Sequence, residues 1–141
     1  MNRTSRKKGA GQEALPKTEI LRGYEAFAAV LSKGTVFRGL NLGGYLLSVT
    51  KEFNGGVPVR TGFAVSRKVK SAAARNRVRR LMREAYRRNK ESLIRFAQDS
   101  GKYFALVLLY QGTSGKQIKR LAYTEIESDL QQTMDRILTS R

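Results

Sequence analysis

Between positions 75 and 87 the chain reads Arg75, Asn76, Arg77, Arg79, Arg80, Arg83 and Arg87, and these side chains dominate the chemistry available to it. A guanidinium presents a planar fork of donors that suits bidentate contact with phosphate or stacking on a base. At 100° per residue, Val78, Leu81, Met82 and Ala85 fall on one stripe that can dock on a core, while Arg75, Asn76, Arg79, Arg80, Arg83 and Arg87 take the other side. The like-charged neighbours are Arg75/Arg79, Arg79/Arg83, Arg83/Arg87, Arg77/Arg80, Arg80/Arg83 and Arg87/Lys90. Their repulsion sums to about 1 to 3 kcal/mol, only partly offset by Glu84. The run also begins near a helix N-terminus, where positive charge opposes the helix dipole. A face so costly in the free protein points to a polyanion, and RNA or DNA backbone is the expected ligand. Arg67, Lys68 and Lys70 carry the same patch back into the preceding junction.

The remaining composition agrees. Lys and Arg total 28 against 11 acidic residues, a formal charge of +17 over 141 residues, more than solubility requires. With no His, the chain has no imidazole for acid–base cleavage of RNA, for a Ser-His-Asp arrangement or for metal ligation. With no Cys there are no disulfides, thiolate nucleophiles or thiolate zinc sites. The acidic residues are scattered. Glu125, Glu127, Asp129 and Asp135 lie among neutral polar residues and read as the solvated face of a helix, and Glu84 reads as a local partner of its arginine neighbours. A protein-only nuclease would need clustered carboxylates around metal ions, so neither a catalytic residue nor a metal ligand is assigned. The longest apolar run, Tyr103 to Tyr110, is far short of the ~20 residues of a membrane span. No membrane is expected as a partner, and the cytoplasm is the expected location.

The elements that must hold this patch follow from the spacing of apolar residues. Met1 to Pro16 (residues 1–16) is basic, with almost nothing to bury, and reads as a disordered arm; residues 17–141 form one domain. Tyr24, Phe27, Ala28, Val30 and Leu31 predict a short amphipathic helix over about Gly23 to Ser32. Thr35 to Gly39 and Tyr45 to Lys51 read as strands. Asn54-Gly55-Gly56 then predicts a hairpin turn into a return strand over Val57 to Ser66, which makes an antiparallel sheet. Ser71 can cap a helix from Ala72 to about Lys90. A loop ending at Gly101 leads to the strand Tyr103 to Tyr110, whose unbroken apolar pattern implies burial on both faces. Gln111 to Gly115 reads as a turn and about Lys116 to Leu138 as a closing helix. The sum is an α+β protein in the order α-β-β-β-α-β-α.

The segment Gly62 to Tyr86, GFAVSRKVKSAAARNRVRRLMREAY, closely resembles the bacterial ribonuclease P protein component family. Ser66-Arg67-Lys68, then Ala72 or Ala73, Arg75-Asn76-Arg77, Arg79-Arg80 and Arg83-Glu84 stand where that family carries its signature, and the likeness extends over roughly residues 20 to 138. The resemblance implies a two-layer sandwich of a central four-stranded mixed sheet with helices, the ribonuclease P protein / ribosomal S5 domain 2-like fold. It implies that Arg67, Lys68, Lys70, Arg75, Asn76, Arg77, Arg79, Arg80 and Arg83 bind the ribonuclease P RNA subunit, one protein per RNA. It further implies that Phe27, Leu31, Tyr45, Phe63 and Val65 line a cleft for the single-stranded 5′ leader of precursor tRNA, although Leu31 stands where the family usually has an aromatic. Catalysis and the Mg²⁺ it needs would then belong to the RNA, and the protein would assist leader removal. On this reading, replacing Arg75 and Arg79 by Ala weakens RNA-subunit binding and leaves the fold intact or more stable.

The same residues argue against other nucleic-acid modules. Gly62-Phe63-Ala64-Val65 resembles part of an RNA-recognition-motif strand, but Arg67 stands where a further aromatic is needed. A major-groove DNA reader mixes base-reading Asn, Gln or Ser into its helix, whereas this one is nearly all Arg.

Overall fold

The apolar run Tyr103–Tyr110 is covered on both faces, and the other elements are arranged around it. In this computed structural model, which describes residues 15–112 and 121–140, a single helical turn at Lys17–Glu19 precedes α1 (Tyr24–Lys33), β1 (Thr35–Arg38), β2 (Leu42–Val49) and β3 (Val59–Val65). Then follow α2 (Ala72–Asn89), α3 (Glu91–Ser100), β4 (Tyr103–Tyr110) and α4 (Tyr123–Thr139). The sheet order is β1-β2-β4-β3, so the last strand lies between the second and the third. It is antiparallel to β2, with Tyr45 opposite Val107, and parallel to β3, with Phe63 opposite Leu108. This is the mixed four-stranded α+β sheet expected.

The predicted hairpin is overturned. β2 and β3 do not pair, and the Asn54-Gly55-Gly56 segment is a wider connection that carries the chain across the end of β4. Gly55 and Gly56 adopt positive φ there, 58° and 82°, which favours glycine. Buried Asn54 donates through Nδ2 to the carbonyls of Val57 (3.1 Å) and Phe104 (2.8 Å), tying the connection to β4 rather than closing a two-strand turn. The competing principle is burial: an eight-residue strand with two apolar faces is stable only at the centre of a sheet.

Strand alternation sorts the core into two sides. Phe104, Leu106, Leu108 and Tyr110 join Leu42, Val59 and Phe63 beneath α2, α3 and α4. Ala105 and Val107 face the opposite way, with Leu21 and Val30, under α1. The helix α3 was missed in the sequence, where this stretch reads as loop. Its Leu93 and Ala97 are buried, and Phe96 stacks on Phe104 at 5.9 Å. Gly101 closes it in the left-handed conformation (φ 67°), with Lys102 N–H donating to the Ala97 carbonyl. The predicted arm lies outside the described residues except for Leu15 and Pro16. Leu15 packs against the core. The turn predicted at Gln111 to Gly115 and the first residues of the predicted closing helix fall partly or wholly on 113–120, also outside the described residues.

Gly62 sets how closely α1 approaches the sheet. A Cβ there would overlap Cζ of Phe27, so the ring lies directly on backbone. Gly62→Ala is expected to destabilise the protein by about 1–3 kcal/mol through overpacking, measured by urea unfolding. In the Phe27→Ala background the same change should cost much less; an undiminished cost in that background would show that the ring is not what fills the space.

Candidate nucleic-acid interface

Ser71 starts α2 by accepting from the Ala74 N–H at 3.2 Å. The helix buries Val78, Met82, Ala85 and Tyr86, with Leu81 only partly covered, so its buried stripe is rotated toward Tyr86 relative to the expected one. Burial pushes the Tyr86 phenol well above the ordinary tyrosine range, so it stays neutral. Its ring meets Phe63 edge-on at 5.9 Å.

The basic side chains divide into two groups. Arg75 donates through Nη1 to the carbonyls of Val69 and Lys70, both at 2.8 Å, and Arg77 donates to the Leu121 carbonyl at 2.8 Å. These two fasten the junction before α2 and the segment before α4. Arg83 lies over the Phe63 ring, 5.7 Å from its centre, and Arg88 over Tyr123 at 5.8 Å. Arg87 pairs with Glu84 at 2.5 Å, and that bond holds the Glu84 carboxyl below its usual range. Arg79 reaches only the neighbouring Asn76, at 3.2 Å. Arg67, Lys68, Lys70 and Arg80 are exposed, and their side chains form no hydrogen bond or ion pair among the described residues. Beside them a shallow groove lined by Leu15, Leu81, Arg80, Arg83, Glu84 and Arg87 runs along α2. The result is a cationic band with an apolar floor, suited to phosphates and to the face of a base.

The five residues expected to line one cleft do not share a face. Phe27, Leu31 and Tyr45 belong to the α1 side. Phe63 and Val65 alternate to the opposite side with Val59 and Thr61, where Phe63 packs under α2. They therefore lie beneath the cationic helix, on the side of the sheet away from Phe27 and Tyr45. The α1-side surface gains a residue that sequence reasoning missed: Val36 on β1, directly opposite Tyr45 and 41% exposed, comparable to Leu31 at 37%. A β-branched residue on a four-residue edge strand carries no signal of function in sequence.

Asp129 is a second correction. It is buried rather than solvated: its Oδ1 accepts from the Leu40 N–H (2.7 Å) and its Oδ2 from the N–H groups of Asn41 (2.5 Å) and Leu42 (3.0 Å). Two other acidic side chains of that helix are also engaged within the protein. Glu125 accepts from the Ala122 N–H, and Glu127 accepts from Asn89 and the Tyr123 hydroxyl.

Comparison with known proteins fits this arrangement. The family model described as Ribonuclease P matches residues 15–138. The chain belongs to the ribonuclease P protein family. It is 44% identical over 96 residues to the ribonuclease P protein component of Chlorobaculum tepidum, covering 63% of this chain but only 60% of that protein. It is 35% identical over 111 residues to the Chlorobium phaeobacteroides protein, covering 74% and 76%. Solved structures of the Staphylococcus aureus and Thermotoga maritima ribonuclease P proteins share the fold. Their TM-scores are 0.63 and 0.59, with 18% and 23% identity; the matches cover 84% of this chain in both cases, and 94% and 96% of those chains. Among the described residues no helix is long and apolar enough to cross a membrane.

The bonds made by Arg75 revise the expectation that losing it leaves the fold unharmed. Arg75→Ala should lower stability by about 1–3 kcal/mol, because two carbonyls lose a charged donor. Arg79→Ala should leave the stability obtained from urea unfolding within about 0.5 kcal/mol of the parent. Equal midpoints for the two variants would contradict this division of labour.

Proposed function

We propose that this chain is the protein subunit of ribonuclease P, which binds the catalytic RNA subunit and the 5′ leader of precursor tRNA. It thereby assists the Mg²⁺-dependent endonucleolytic removal of the leader, in the cytoplasm, with one protein per RNA. What carries the reading, beyond family membership, is that an outward cationic band and a surface with exposed apolar residues, Leu31 and Val36, stand on opposite sides of one sheet. Two RNA segments can thus be held at once without competing.

On the α2 side Arg67, Lys68, Lys70, Arg79, Arg80 and Arg83 bind the RNA subunit through phosphates, while Arg75 and Arg77 hold the backbone that carries them. Asn76 sits at the same exposed helix start and orients Arg79. On the α1 side Phe27, Leu31, Tyr45 and Val36 hold the leader by apolar contact and stacking, each stacked base contributing about 1–3 kcal/mol. Holding the leader raises the share of substrate seated with its scissile bond at the RNA's reactive centre, which is a contribution of orientation rather than of chemistry. Mg²⁺ supplies charge neutralisation and an activated water at the phosphate, and we assign its ligands to the RNA. The described acidic side chains support this. They form no cluster of three, and Asp129, Glu84, Glu19 and Glu127 are each engaged by donors of the protein itself.

Cleavage of leader-bearing precursor tRNA by a bacterial ribonuclease P RNA at low Mg²⁺ should be restored by this protein. Affinity should rise for the leader-bearing substrate and not for a leaderless one. Replacing Arg67, Lys68 and Arg80 by Ala should weaken RNA-subunit binding and flatten its dependence on salt, by about 0.7–0.9 in logarithmic slope for each phosphate no longer neutralised. RNA binding without restored cleavage, given a cognate RNA subunit, would leave only a general RNA-binding role.

A further inference from the structure

The turn between β1 and β2 closes the ladder on which Val36 faces Tyr45, yet it is held from the other side of the sheet. Three successive amides, Leu40, Asn41 and Leu42, point at one carboxylate, Asp129 on α4, which is 6% exposed. One helical turn onward Thr133 meets Gly44, where a Cβ would lie 2.8 Å from the threonine Cγ2. Further along, Arg136 donates to the Arg38 carbonyl. Gly39 has no space for a side chain, since a Cβ there would overlap Asp129 Oδ1. The turn is also joined to the end of β4: Gln111 N–H donates to the Asn41 carbonyl at 2.8 Å, and Arg38 donates to the Gln111 side chain at 3.1 Å. Among the described residues β1 has no other anchor in the sheet than β2, because it is the outer strand and only four residues long.

A carboxylate that accepts three backbone N–H groups is satisfied in charge and geometry together, so it fixes a turn more stiffly than a backbone hydrogen bond would. Once the turn is fixed, so is the position of Val36 against Tyr45, further along the same ladder. We infer that Asp129, with Arg136 behind it, is a positioning residue for the leader cleft: it sets the spacing of the β1–β2 wall, and through that the protein's preference for leader-bearing substrate. The inference rests on the leader-cleft reading above. Asp129 touches no RNA in this scheme. It acts through Val36 and Tyr45.

Asp129→Asn replaces one acceptor oxygen by a donor that faces amide N–H groups, with almost no change in volume. In the holoenzyme this variant should lose roughly 10-fold in affinity for leader-bearing precursor tRNA. Its affinities for leaderless tRNA and for the RNA subunit should match the parent's, a split that a general loss of structure would not produce. Arg136→Ala, at an exposed side chain, should give a smaller loss with the same split, and it serves as the test if Asp129→Asn does not fold. Equal losses on both substrates, or parental leader affinity in a folded Asp129→Asn protein, overturn the inference; if that variant does not fold, parental leader affinity in Arg136→Ala does so. Tyr45→Ala and Phe27→Ala run alongside as controls. If they lower leader affinity and Asp129→Asn does not, positioning by Asp129 fails and the cleft stands. If they too leave it unchanged, the leader-cleft reading fails first.

Discussion

Burial of one strand on both faces is the constraint from which the rest follows. Because β4 is apolar throughout, it cannot sit at an edge, and β2 and β3 must part to admit it. The connection that would have been a hairpin becomes a wide turn pinned by Asn54. Helices must then cover two faces, and among the described residues the coverage is unequal: α2, α3 and α4 occupy one side and α1 alone the other. That inequality leaves part of the α1 side open while the α2 side is closed beneath its cationic band. The cationic face and the α1-side surface are thus by-products of how a single apolar run is covered.

The outer strands of the sheet are treated differently. β3 is flanked by the segment before α1, where Leu21 N–H donates to the Thr61 carbonyl and Arg60 donates to the Thr18 carbonyl. Among the described residues β1 has no such neighbour, and it is short, which limits its use as a template for unwanted pairing. Its order comes instead from α4 through the β1–β2 turn. The repulsion along α2 is managed by similar means, since Arg75 and Arg77 direct their charge to carbonyls and Arg87 to Glu84. What is left pointing outward is a smaller cationic set than the sequence suggests, and it is concentrated around Arg67, Lys68, Lys70 and Arg80.

Elements with strong local periodicity were legible in the sequence: α1, α2, β4 and most of α4. So were the cationic helix face and the pairing of Glu84. The rest was hidden because it depends on contacts distant along the chain. Nothing near Asn54 indicates that its partner is Phe104, and nothing near Asp129 indicates that three amides some 87 residues upstream will surround it. For α3 the apolar residues were present, but Lys90 supplies no side-chain cap to mark the start. The grouping of Phe63 and Val65 with Phe27 and Tyr45 failed for a reason the sequence did hold. Val59, Thr61, Phe63 and Val65 share one parity along β3, while Gly62, against which Phe27 packs, has the other.

Leu15 ties the shape of the cationic face to the stability of the core. It lines the groove beside Arg80, Arg83 and Arg87 and also packs against the buried cluster beneath α2. A smaller side chain there would take apolar contact from the core and deepen the floor beside the guanidinium groups in one step. Packing and surface shape are therefore not independent at this position, although Leu15 lies outside every helix and strand.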